Sequence, residues 1–185
     1  MYLFAKDLKS QTPLITLTPC SECGTLLIDN SIMVASIARD PSSLSNPHEA
    51  ICSHLSWEAV VDFTNQQFFA KAVYDVTIVS SEVTSLRLDT SGLDIQRVDI
   101  NKQPVTFSLS VPDGEKLHLG SCLEIDLMGV SNKAAGSKIS VAILYATSPT
   151  ASAAQWLPPA QTAGKEHPYV FSACFVSVLF NCVHV

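Results

Sequence analysis

The side chains best able to do chemistry in this 185-residue chain are its six cysteines, five histidines and seventeen acidic residues. Cys20-Ser21-Glu22-Cys23 has the spacing of half a structural zinc site. Zinc takes four ligands, and no second close Cys or His pair accompanies it. Cys182 and His184 stand near the opposite terminus, and His48 and His54 are six apart without a carboxylate partner. The cysteines are therefore read as reduced thiols and not as ligands. Hydrolytic chemistry would need a nucleophile or activated water, a base and an orienting group, and the chain has no G-x-S-x-G, no H-E-x-x-H and no phosphate-cradling glycine run. Its nearest His–carboxylate cluster is Lys165-Glu166-His167. Neighbours on an extended backbone point to opposite sides and cannot share a metal, so this reads as a solvated or hydrogen-bonded loop. Asp89, Asp94 and Asp99 could suggest a cation site, but their spacing in turn-flanked strands predicts solvent-facing positions. No catalytic, substrate-binding or metal-ligating residue is assigned, and no cofactor is expected in these residues.

The elements that position these groups have a period close to two. Leu55, Trp57, Ala59, Val61 and Phe63 alternate with mostly polar residues, Thr64-Asn65-Gln66-Gln67 supplies a turn, and Phe68, Ala70, Ala72, Tyr74, Val76 and Ile78 resume the alternation. That pattern predicts an antiparallel hairpin over residues 54–79 with Leu, Trp, Phe and Tyr on its core face. It recurs at Leu86 and Leu88, at Ile95, Val98 and Ile100, at Val105, Phe107 and Leu109, at Leu123, Ile125 and Leu127, and from Ile139 to Tyr145. Ser91-Gly92, Asn101-Lys102 and Pro112-Asp113-Gly114 separate these runs, and each holds a residue that tolerates a tight turn. Many short strands at such spacing predict an all-β antiparallel sheet, sandwich or barrel.

Residues 1–37 lack sustained periodicity and read as an appended, poorly ordered leader. Ala38 to Pro47 is rich in turn formers and reads as a linker or an ordered entry loop. With 11 basic against 17 acidic side chains and a net charge of −6, the chain is a poor candidate for nucleic acid. No basic secretory or Arg-rich transit pattern opens it, so a cytoplasmic location is expected. Pro168–Val185 carries no charged residue. It is rich in Val and Phe and interrupted by Ser172, Ser177, Asn181 and His184, so a core strand is expected there and a membrane anchor is not.

Thr147 to Ser172 reads as a long crossing loop with Trp156 and Tyr169 as anchors on either side of polar groups that could line a cleft. Here the residues also carry a resemblance. TSPTASAAQWLPPAQTAGKEHPYVFSAC resembles the stretch that closes the first sheet in the leukotriene A4 hydrolase group of the zinc aminopeptidase (gluzincin) family. LRLDTSGLDIQRVDIN resembles an earlier strand-turn-strand of the same N-terminal domain, and DPSSLSNPHE resembles the way several members begin. The similarity covers residues 38–174, leaving 175–185 as a divergent apolar tail.

The resemblance implies a curved, saddle-like antiparallel or mixed β-sheet sandwich, as in the aminopeptidase N-like N-terminal domain. In that family the domain lies over a separate thermolysin-like catalytic domain. The catalytic domain carries zinc on H-E-x-x-H with a third glutamate, and a G-x-M-E-N loop that holds the peptide amino terminus. None of these motifs occurs here. Where the family continues with Gln-Cys-Gln, whose glutamines touch substrate, this chain reads Ala173-Cys174-Phe175, and neither alanine nor phenylalanine can offer an amide. What is expected is a domain fragment of a peptidase and epoxide hydrolase that is inactive alone. The alternative is a non-catalytic β-sheet module that pairs with a full-length homologue or with itself.

Overall fold

The computed structural model describes residues 2–6, 14–17, 42–112, 114, 119–151 and 154–173. Its strands are Tyr2–Lys6 (β1), Leu14–Leu17 (β2), Ala50–Asp62 (β3), Gln67–Ile78 (β4), Ser85–Thr90 (β5), Leu93–Ile100 (β6), Gln103–Pro104 (β7), Phe107–Ser110 (β8), Ser121–Asp126 (β9), Lys138–Thr147 (β10), Ala154–Leu157 (β11) and Tyr169–Ala173 (β12). They form a six-stranded sheet in the order β2-β3-β4-β10-β6-β7 and two three-stranded sheets, β5-β9-β8 and β1-β12-β11. Every pairing between described strands is antiparallel.

The expected hairpin is β3–β4, paired from Ala50↔Ile78 to Asp62↔Gln67, and every second residue of β4 from Phe68 to Ile78 is buried. A bulge corrects the phase of β3. Cys52 pairs with Val76 and His54 with Asp75, which leaves Ser53 as the inserted residue, its hydroxyl donating to the Asp75 carbonyl at 3.1 Å. One extra residue moves the following side chains to the other face, so burial passes from Ala50 and Cys52 to Trp57, Ala59 and Val61. A second bulge explains the uneven spacing of Ile95, Val98 and Ile100. Against β10 the register steps from Leu144↔Arg97 to Tyr145↔Ile95, leaving Gln96 unpaired and all three apolar residues on the core side. Asn101 and Lys102, with φ of 50° and 68°, form the two-residue turn into β7, whose mirror-image geometry matches the twist of the strands.

The core lies where the six-stranded sheet faces β5-β9-β8. Trp57, Phe68, Tyr74, Val98, Val141 and Tyr145 from one sheet meet Leu86, Leu88, Leu123 and Ile125 from the other in one buried cluster. Burying side chains of this kind contributes about 1.5–3 kcal/mol each. The Trp57 indole N–H donates to the Tyr145 hydroxyl at 2.8 Å, which satisfies the polar end of each ring inside the core. The sheets join at a corner: Val105 N donates to Val98 O of the large sheet, and one residue later Thr106 O accepts from Asp126 N of the small one, both at 3.0 Å. Gly120 leads into β9 at φ +82°, where an added Cβ would collide with the Thr90 carbonyl oxygen.

The stretch before β3 is an ordered entry loop. The Asp89 carboxylate accepts from the Ser43 hydroxyl and the Leu44 N–H, both at 2.7 Å. Asn46, only 3% exposed, accepts from Arg87 N at 2.8 Å and donates to Ser85 O at 2.9 Å and to Glu49 at 2.7 Å. Within the segment read as a leader, β1 pairs along β12 and β2 along the outer side of β3. Among the described residues no helix is long and apolar enough to cross a membrane.

Candidate functional site

The conspicuous stretch from Thr147 is less of a loop than its composition suggests. Ala154–Leu157 and Tyr169–Ala173 pair as a ribbon from Ala154↔Ser172 to Leu157↔Tyr169. The sequence pattern hid the first of these because it is four residues long and runs straight into Pro158-Pro159, while the second falls in the stretch after Pro168 where a core strand was expected. Trp156 anchors the ribbon, packed edge-on against Phe63 at 5.7 Å between ring centroids and tilted against Phe68 at 5.3 Å. Across the ladder Val170, 1% exposed, enters the core.

Between the strands, Pro159–Gln161 makes a 3-10 turn begun by the fixed φ of proline. The Thr162 hydroxyl lies 2.9 Å from Pro159 O and 2.8 Å from His167 O, bridging the two ends of the loop. Gly164 and Lys165 are both left-handed, at φ 86° and 54°. Lys165 and Glu166 are turned to solvent, and His167 Nε2 is 3.9 Å from the Glu166 carboxylate. This is the solvated, hydrogen-bonded loop that the residues predicted, and its charges converge on no common point.

The other sequence candidates are dispersed. Cys20, Cys23, Cys182 and His184 lie outside the described residues. His48 is exposed, and His54 sits on β3 with its ring 3.4 Å from the Ser56 hydroxyl. Of the three aspartates only Asp94 is exposed as expected. Asp89 is half-buried and holds the entry loop, and Asp99 is half-buried and accepts from Arg97 Nε at 2.8 Å. Solvent-facing was therefore the wrong reading for these two, because alternation places a side chain on a face without revealing what packs over it. Glu124 accepts from the Ser85 hydroxyl at 2.6 Å and from Arg87 at 3.0 Å, contacts that hold its pKa below the usual carboxylate value. Asp62 is lowered by the Asn65 and Thr64 amides of the turn it caps. Burial pushes the Cys122 thiol up, which removes thiolate character at neutral pH.

Zinc, which the resemblance implies for the family, does not fit this donor set. No three His, Cys, Asp or Glu side chains converge among the described residues, and Asp62, Asp89, Asp99 and Glu124 are committed to turns, hydroxyls and arginines. A cavity between the two facing sheets, lined by Tyr74, Asp89, Thr90 and Tyr145 among others, measures about 20 Å³, room for one water. The residue that sequence reasoning missed is Asn46. Its only signal is the Asn-Pro pair within a run of turn formers.

Antiparallel sheets enclosing one core, with a Trp-anchored ribbon along one side, define a β domain of the type found in leukotriene A4 hydrolases. The chain superposes on yeast leukotriene A4 hydrolase, solved in complex with bestatin, with a TM-score of 0.62 and 28% identity over 84% of this chain and 25% of that one. The native Saccharomyces cerevisiae enzyme gives a TM-score of 0.63 at 28% identity, over 80% and 23% of the two chains. In sequence this chain is 42% identical over 137 residues to leucine aminopeptidase 2 of Yarrowia lipolytica, covering 74% of this chain and 20% of that protein. It is 38% identical over 135 residues to leukotriene A-4 hydrolase of Xenopus laevis, covering 73% and 21%. No family model matches. The chain belongs to the leukotriene A4 hydrolase and leucine aminopeptidase 2 family, and it spans about a fifth of the length of the curated relatives it matches.

Proposed function

We propose that these residues supply the β domain of a leukotriene A4 hydrolase-like aminopeptidase and that the 185-residue chain has neither peptidase nor epoxide hydrolase activity by itself. The observation that carries this reading is the mismatch between kinship and chemistry. Nearly three quarters of the chain aligns with enzymes, while among the described residues no three His, Cys, Asp or Glu side chains converge, and Asp89, Glu124 and Asp99 are engaged in holding loops and strands together. Zinc-activated water requires three protein ligands on one ion, and this sequence contains no H-E-x-x-H to begin such a set. The domain then acts as a scaffold whose packing surfaces serve a catalytic unit outside these residues, in the cytoplasm where its relatives' chemistry is expected to run. Purified 185-residue chain should retain no stoichiometric zinc and cleave no aminoacyl amide. Bestatin-sensitive turnover, together with one zinc per chain by elemental analysis, would overturn the proposal.

A further inference from the structure

The small sheet β5-β9-β8 has two edges, and they are treated differently. Its hydrogen-bond phase is set by Thr84 O accepting from Leu127 N and Thr106 O accepting from Asp126 N. Antiparallel pairs alternate between bonded and non-bonded, so the backbone groups of Ser85, Arg87 and Asp89 face outward from β5, and those of Phe107 and Leu109 face outward from β8. On the β5 side Asn46 takes the Arg87 N–H and the Ser85 carbonyl, standing in for a neighbouring strand. On the β8 side nothing among the described residues pairs with the edge. Leu109 is 45% and Val111 62% exposed there.

Natural sheets protect such an edge with charge, proline or brevity, and here the charge is missing: Val105-Thr106-Phe107-Ser108-Leu109-Ser110-Val111 is uncharged and rich in β-formers, so that the four-residue length of β8 and the bounding Pro104 and Pro112 limit the open edge to a short run without closing it. We infer that β8 is a strand-accepting edge whose partner is the β8 of a second copy of this chain, paired antiparallel about a two-fold axis through Leu109. The segment suits itself as a partner. Centred on Leu109, the outward-bonding residues meet each other, Leu109 against Leu109 and Phe107 against Val111, which puts an aromatic opposite a β-branched residue. No like charges oppose one another along the seven residues. The pairing covers Leu109 and Val111 and continues the small sheet through both molecules. The net charge of −6 on each chain opposes association at long range, so added salt strengthens the pair.

The test uses the whole 185-residue chain in sedimentation velocity over a hundredfold range of concentration, with and without Leu109→Pro. Leu109 gives no N–H to β9, so the substitution removes an outward donor and spares the internal ladder. Wild-type chain should pass from monomer to dimer with rising concentration and more readily in salt, while the variant stays monomeric with an unchanged circular dichroism spectrum. Leu109→Lys provides a second variant that keeps the backbone donor and sets two charges together on the axis; it too should be monomeric. Hydrogen exchange reads the same contact without mutation: the Leu109 amide slows as the chain is concentrated, and the Ser108 amide does not change. A monomer at every concentration, a dimer that survives both variants, or a Leu109 amide indifferent to concentration would each overturn the inference. None of these outcomes depends on whether the chain is catalytically silent.

Discussion

The two edges of the small sheet separate two uses of the same backbone. β5 lies under an entry loop whose Asn46 and Leu44 meet its outward groups and the Asp89 carboxylate, and it is finished as an internal strand would be. β8 is the same sheet's other border and carries outward N–H and C=O groups with no protein partner among the described residues. The difference shows that burial of apolar faces does not by itself complete a sheet. An edge is closed only when something supplies donors and acceptors at the strand's own spacing, and one carboxamide suffices for one rung.

The comparison is sharpened most by moving a proline one residue along β8. Ser108→Pro removes a donor on the side facing β9 and should cost about 3 kcal/mol, while Leu109→Pro next to it loses only the covered part of a leucine that is 45% exposed and should cost about 1 kcal/mol, both read from urea unfolding. Next comes the closed edge. Asn46→Ala leaves Ser85 O and Arg87 N without their partner and should destabilise by about 2 kcal/mol, with faster hydrogen exchange at Arg87 as the local signature. Asn46→Asp keeps the acceptor for Arg87 but sets a carboxylate against Ser85 O and Glu49, so its deficit should grow as pH rises through the carboxylate range. Asp89→Ala, which frees Ser43 and Leu44, should cost about 1 kcal/mol and mobilise the entry loop before the strand. The smallest effect belongs to Glu124. Its pKa is lowered in the folded chain, so its contribution is present above the unfolded carboxylate pKa and lost as pH falls through the lower folded value. Its side chain is 38% exposed, so Glu124→Gln should remove less than about 1 kcal/mol at neutral pH and flatten the acid limb of a stability profile correspondingly.

Much of this fold is written in period-two alternation. The β3–β4 hairpin, its turn and all six core residues of β4 could be read directly, since a strand with one buried face must place apolar residues at every second position. Alternation also found the runs that became β5, β6, β8, β9 and β10. It did not reveal the bulges at Ser53 and Gln96, because an inserted residue looks like noise until the partner strand fixes the register. Nor did it find β11, where the Pro-rich context of Trp156 reads as loop and only the ladder with β12 makes a strand of it, whereas β12 opens the uncharged stretch after Pro168 in which a core strand was expected.

The family was legible earlier than the geometry. The QWLPPAQTAGKEHPYVFS stretch is a long irregular pattern, and such patterns identify kin where alternating strands are common to many folds. What the linear order of residues determined about this protein is therefore its class, its central hairpin and the lack of a hydrolytic motif, all set by local spacing. What the tertiary structure alone decided is where the polar groups are used: Asp89 and Asn46 are about forty residues from each other in the chain and act together only because β5 is brought beneath the entry loop. Hydrogen bonds at 2.7–2.9 Å depend on through-space position, which no one-dimensional period encodes.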